Sequence, residues 1–123
     1  MGKIVLIVED DPKNMTLTRD ILKISGYATI EAIDREEGVK LAKKGKPDLI
    51  LMDVMMPKKD GYTACQEIKA NPATRNIPVV MLTALGQEGN KTIARIWGAD
   101  GYVTKPLDRQ TLIDAINRLL PTS

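Results

Sequence analysis

Glu9 and Asp10, Asp53, Thr83 and Lys105 are the residues of this 123-residue chain whose types can do chemistry together. Three carboxylates held in one crevice repel each other, so a proton or a cation must join them. The chain contains no histidine. That removes imidazole catalysis and the commonest transition-metal ligand, and it leaves oxygen as the donor for any metal. With oxygen ligands the natural cation is magnesium, which keeps several waters and takes one or two carboxylates beside phosphate oxygens. Such an ion beside Asp53 can neutralise an incoming phosphoryl group. The Asp53 carboxylate can then attack the phosphorus and form an acyl phosphate. Lys105 offers the phosphoryl oxygens a positive point charge, and the Thr83 hydroxyl offers a hydrogen bond. Positioning and charge neutralisation are most of what phosphoryl transfer asks of a protein. Taken singly, each residue is ordinary: an acid in a turn, a hydroxyl at a strand end, a surface lysine. Their shared position carries the reading, and that position depends on the elements around them.

Each of these residues lies one or two positions after a short apolar run. The runs are Ile4–Val8, Leu49–Met52, Val79–Leu82 and the shorter Tyr102-Val103. The first three are nearly continuous, as expected of strands buried on both faces of a parallel sheet. A fifth stretch, Tyr27 to Ile33, alternates instead, with Ala28, Ile30 and Ala32 on one side and Thr29 and Glu31 on the other. That suits an edge strand. Helical patterns fill the gaps. Asp11-Pro12 reads as an N-cap followed by proline at the first helical position, with Leu17, Ile21 and Ile24 as the inward stripe and Gly26 as the stop. Asp34 caps a second helix running to about Lys44. Asp60 or Gly61 opens a third, with Cys65 and Ile68 inward. A fourth holds Ile93, Ile96 and Trp97 before Gly98, and a fifth carries Leu112, Ile113, Ile116, Leu119 and Leu120 as one stripe.

The order βαβαβαβαβα predicts an α/β fold: a doubly wound, five-stranded parallel sheet with helices on both faces. Strand order 2-1-3-4-5, as in flavodoxin-like folds, sets the ends of strands 1 and 3 side by side at the switch point where such sheets bind ligands. Residues 1–123 are expected to be one domain.

Composition narrows the function classes. Eighteen Lys and Arg against sixteen Asp and Glu give a net charge of +2, with both signs interspersed. A dedicated nucleic-acid binder would gather its basic residues on one face. Lys43-Lys44-Gly45-Lys46 reads as a solvated helix end, where cations complement the dipole. No apolar run approaches the ~20 residues that span a bilayer. The first residues lack the layout of a signal peptide, and the single Cys65 suits a reducing compartment, so a cytoplasmic location is expected. Two other functions share parts of this pattern. A flavodoxin-like electron carrier would need a hydroxyl-rich loop after the first strand, and here that loop is acidic. An aspartyl-phosphate phosphatase would usually carry Asp-x-Asp there, together with a cap domain. Both rank behind the phosphoacceptor reading.

The motifs Val8-Glu9-Asp10-Asp11, Leu51-Met52-Asp53-Val54-Met55-Met56-Pro57, Asp60-Gly61, Met81-Leu82-Thr83-Ala84 and Thr104-Lys105-Pro106 resemble the receiver domains of bacterial two-component response regulators, end to end. The resemblance implies that Asp53 is the phosphoacceptor, served by the phosphohistidine of a histidine kinase or a phosphotransfer protein. It implies magnesium held by Asp10, Asp53 and the backbone carbonyl of Met55, with Glu9 acting mainly through water. It puts Thr83 and Lys105 on the phosphoryl oxygens and a cis peptide before Pro106. Leu107 stands where the family often has Phe. The implied role is a stoichiometric switch rather than an enzyme. Thr83 moves towards the phosphoryl group, Tyr102 turns inward, and a downstream protein reads the face made by the fourth helix, fifth strand and fifth helix. Met55 and Leu85, two residues after Asp53 and Thr83, are apolar. They offer no group to align a hydrolytic water, so slow loss of the phosphoryl group is expected.

Overall fold

The three continuous apolar runs form the centre of a parallel sheet. The computed structural model describes residues 3–53, 60–83, 98–104 and 107–120, with residues 60–62 and 83 described by their backbone alone. The strands are β1 (Ile4–Val8), β2 (Ala28–Ala32), β3 (Leu49–Asp53), β4 (Val79–Thr83) and β5 (Gly101–Thr104). They pair in the order β2-β1-β3-β4-β5, every pair parallel. The helices described are α1 (Pro12–Ile24), α2 (Arg35–Gly45), α3 (Asp60–Ala70) and α4 (Arg109–Leu119). Helix α4 is the fifth helical pattern of the sequence. The fourth, with Ile93, Ile96 and Trp97, lies outside the described residues.

Alternation along the central strands divides the core in two. Leu6, Val8, Ile50, Met52, Val79 and Met81 face α2 and α3, where they meet Ala42, Ala64, Cys65 and Ile68. Val5, Ile7, Leu49, Leu51, Val80 and Leu82 face the other way, against Met15, Ile21 and Leu22 of α1 and Leu112, Ala115 and Ile116 of α4. A side-chain period of two makes each run serve both faces. Burial on both faces explains why these runs are continuous. In the edge strand β2 the expected alternation holds at its end, with Ile30 and Ala32 joining the first cluster and Glu31 held outside by Arg19 at 3.6 Å, whereas Ala28 at its start is exposed.

The helix starts follow their caps. Asp11 Oδ1 accepts from Lys13 N at 3.0 Å, with Pro12 at the first helical position. Asp34 Oδ1 accepts from Glu37 N at 2.8 Å, while Glu37 Oε1 accepts from Ile33 N at 3.1 Å. Asp108 Oδ2 accepts from the backbone and the hydroxyl of Thr111, each at 3.0 Å. These bonds hold the Asp108 carboxyl below the usual carboxylate range.

The inward face of α1 differs from the expected stripe. Met15, Thr18, Ile21 and Leu22 are buried, whereas Leu17 is 45% and Ile24 69% exposed. Both sets have helical spacing. The buried one contains Thr18, whose hydroxyl hid it from a count of apolar residues.

Gly38 sets how closely α2 lies on β1. A Cβ built there would meet Val8 Cγ2 at 2.9 Å and Cγ1 at 3.1 Å. Val8 is β-branched and fully buried, so it has little freedom to yield. At Gly45 the contact is the flexible tip of Ile30, also at 2.9 Å. Exchange of glycine for alanine inside a helix normally gains roughly 0.5–1 kcal/mol, whereas overpacking costs about 1–3 kcal/mol. Gly38→Ala is therefore expected to destabilise the fold by about 1–2 kcal/mol, and Gly45→Ala to be close to neutral. Urea melts would measure both, and equal costs would contradict the close packing of α2 on Val8.

Candidate functional site

The sheet register stacks the chemistry-bearing residues in rows. Val8, Met52, Met81 and Tyr102 pair in turn across β1, β3, β4 and β5. One step towards the carboxyl edge, Asp53 pairs with Leu82 and Leu82 with Val103. One further step brings Thr83 opposite Thr104. Glu9 leaves β1 directly after Val8, and its N–H donates to Ala32 O at 3.0 Å, as if continuing the ladder with β2. Asp53 ends β3, so Glu9 and Asp53 leave neighbouring strands side by side.

Glu9, Asp10 and Asp53 form the acidic cluster found among the described residues. Each offers a carboxylate oxygen, and these oxygens lie within 4.8 Å of one another. Glu9 is 1% and Asp53 2% exposed, while Asp10 faces solvent. The burial follows from the strands: Glu9 follows the buried residues Val5–Val8, and Asp53 ends the fully buried β3. Glu9 Oε2 accepts from Asp11 N at 3.3 Å, which ties the acid to the cap of α1. At this spacing the carboxylates repel strongly when all are ionised, and low exposure limits screening by water.

Thr83 is the last residue of β4, one register step beyond Asp53. Tyr102 lies on β5 opposite Met81 and is half-buried against the cluster that includes Met52 and Met81. Leu107 packs partly buried on the other core cluster. Met55, Leu85, Lys105 and the peptide before Pro106 fall outside the described residues. Three of the expected residues, Glu9, Asp10 and Asp53, are therefore brought together, and two more, Thr83 and Tyr102, are placed on β4 and β5.

The response regulator receiver domain family model matches residues 5–117 of the chain. The chain belongs to this family. As a receiver, it is a domain of two-component signalling, in which receivers act as phosphoacceptor switches. Over 116 residues it is 42% identical to RpaA of Synechocystis sp., a DNA-binding dual master transcriptional regulator; the match covers 94% of this chain and 48% of RpaA. This receiver therefore spans about half the length of that relative. It is 38% identical to the polar-differentiation response regulator DivK of Brucella anthropi, over 98% of each chain. Among solved structures it resembles the receiver domain of the sensor histidine kinase PA1611 of Pseudomonas aeruginosa, with 33% identity, a TM-score of 0.90, and coverage of 99% of this chain and 100% of that one. That structure has a magnesium ion coordinated in its active-site cleft.

Two residues that sequence reading passes over stand at the opposite edge of the sheet. Lys69 and Asp100 pair at 2.7 Å, joining the end of α3 to the residue before β5. Position was the available signal: Lys69 falls one helical turn after buried Cys65, on the inward side of α3. Burial pushes the Cys65 thiol up to about 11, and the nearby Lys69 and Asp100 charges act in opposite senses. No described helix is long and apolar enough to cross a membrane.

Proposed function

We propose that Asp53 accepts a phosphoryl group from the phosphohistidine of a histidine kinase or phosphotransfer protein, and that the modified receiver then binds a different protein partner. The convergence of Glu9, Asp10 and Asp53 within 4.8 Å supports this reading. The donor set is all oxygen, in a chain without histidine, and it fits a hard divalent cation. Asp10, Asp53 and the Met55 carbonyl would hold magnesium, with Glu9 acting through water. Bound there, magnesium supplies positive charge that offsets the carboxylates and the incoming phosphoryl oxygens.

A carboxylate oxygen of Asp53 attacks the phosphorus. The P–N bond to the donor imidazole breaks, its electron pair stays on the nitrogen, and that nitrogen takes a proton from solvent. Lys105 balances charge on the phosphoryl oxygens, and the Thr83 hydroxyl donates to one of them. The modification adds about −1.5 to −2 units of charge. Movement of Thr83 towards it frees space beside Met81 and Tyr102, which pair with each other two register steps before Thr83. Inward rotation of Tyr102 then alters the face made by β5, α4 and the fourth helical pattern expected from the sequence. The receiver acts stoichiometrically and loses its phosphoryl group slowly. We place it in the cytoplasm and assign no nucleic-acid contact to these 123 residues, whose charges of both signs are interspersed.

The test is intact-mass spectrometry after incubation with a small-molecule phosphodonor. One phosphoryl group is expected with magnesium and none with excess chelator; equal labelling in both would remove the metal from the proposal. Lifetime provides a second test. Met55→Asn and Leu85→Glu each introduce a polar group that can align water, and both are expected to shorten the lifetime of the phosphorylated form. Unchanged or slower decay in both variants would refute the water-exclusion argument.

A further inference from the structure

Strand β5 is the shortest strand of the sheet. It has four residues, lies at an edge and fully buries Val103 alone. A strand with so little buried pattern has a weakly specified register, yet a slip by one residue would turn every side chain to the other face. Glycines at 98 and 101 flank its start, and Gly98 has a φ of +96°.

The register is pinned from outside the strand. Asp100 grips Val79, the first residue of β4, at two points: its N–H donates to Val79 O at 2.8 Å, and its Oδ2 accepts from Val79 N at 2.8 Å. The same Oδ2 receives Lys69 Nζ at 2.7 Å. Lys69 Nζ also donates to Ile77 O at 2.8 Å and to Arg75 O at 3.2 Å. All three ammonium donors are thus used, two on the segment between α3 and β4 and one on the start of β5. The Lys69 side chain is 18% exposed. Its stem passes Gly98 so closely that a Cβ there would lie 3.0 Å from Lys69 Cγ.

We propose that the Lys69–Asp100 pair is a register clamp for β5 and so a positioning pair for Tyr102 and for Lys105, the residue directly after Thr104 in the sequence. The Lys105 half rests on its assignment to the phosphoryl oxygens. The clamp acts from the amino edge of the sheet, four strand residues or about 13 Å from Thr83. It joins α3, which begins soon after Asp53 in the chain, to β5, which ends just before Lys105. The charges fix the height of β5 against β4, and the acid cluster on β1 and β3 does not depend on them.

The experiment compares the full chain with Asp100→Ala, Asp100→Asn and Lys69→Met. Asn keeps an acceptor for Val79 N without the charge, and Met keeps the apolar stem. Three quantities are read: amide hydrogen exchange at residues 101–104, magnesium affinity, and affinity for beryllofluoride, a phosphoryl mimic, at saturating magnesium. Asp100→Ala is expected to speed exchange in β5 and weaken beryllofluoride binding about tenfold, the change that ~1.4 kcal/mol produces. Magnesium affinity is expected to stay within about twofold of the parent, a difference of less than ~0.5 kcal/mol. Asp100→Asn recovers part of the loss, and Lys69→Met falls between. Unchanged exchange at residues 101–104 overturns the clamp. Faster exchange with unchanged beryllofluoride affinity, or magnesium and beryllofluoride affinity falling together, overturns the positioning role. Lys105→Ala serves as the control. If that variant binds beryllofluoride as the parent does, the lysine assignment fails and the clamp is judged on exchange alone.

Discussion

Asp53→Asn is expected to abolish phosphoryl incorporation while leaving the fold in place. The amide has the size of the carboxylate, so the end of β3 keeps its packing, but it lacks the anionic oxygen that attacks phosphorus. Asp53 is 2% exposed at the end of a fully buried strand. Removing its charge also relieves repulsion from Glu9 and Asp10, so the variant should melt no lower than the parent in the absence of magnesium. Loss of labelling can therefore be separated from loss of structure. Intact-mass spectrometry and a melting curve on the same sample suffice. Undiminished labelling of the variant would place the acceptor elsewhere, with solvent-facing Asp10 the first alternative.

Magnesium is expected to stabilise the fold substantially, and Asp10→Asn to remove most of that gain. The unfolded chain has no preformed cluster, so a cation that binds only the native state adds about 2.7 kcal/mol at 100 times its Kd. For a domain of this size that is a rise in Tm on the order of 10 °C. Asp10→Asn acts in both directions. Without metal it relieves repulsion and should raise stability slightly; with metal it removes a ligand and should reduce the shift. Melting curves in magnesium and in chelator, on parent and variant, give the four values required. Equal shifts in the two proteins would remove Asp10 from the site.

The fold was legible where one physical signal dominated. The runs Ile4–Val8, Leu49–Met52 and Val79–Leu82 are continuous because both of their faces are covered, and each became a central strand. Asp11-Pro12 and Asp34 mark helix starts because short acids satisfy free N–H groups there. The inward face of α1 was misread because Thr18 takes a core position that a scan of apolar residues skips. Glu9, Asp10 and Asp53 were legible because acids gathered at the carboxyl ends of buried strands are unusual for solubility alone. Lys69 and Asp100 were not, since they lie thirty-one positions apart in the sequence and their pairing depends on how α3 and β4 return the chain. The contact of Gly38 with Val8 is hidden for the same reason: the helix-to-strand distance has no local signature.

Borohydride trapping tests the acceptor assignment most directly. Reduction of an acyl phosphate converts the modified aspartate to homoserine, which peptide sequencing by mass spectrometry locates to a single residue. After treatment with phosphodonor and magnesium, homoserine is expected at position 53 and nowhere else. Homoserine at position 10, at another acid, or at none would contradict the assignment of Asp53 as the phosphoacceptor.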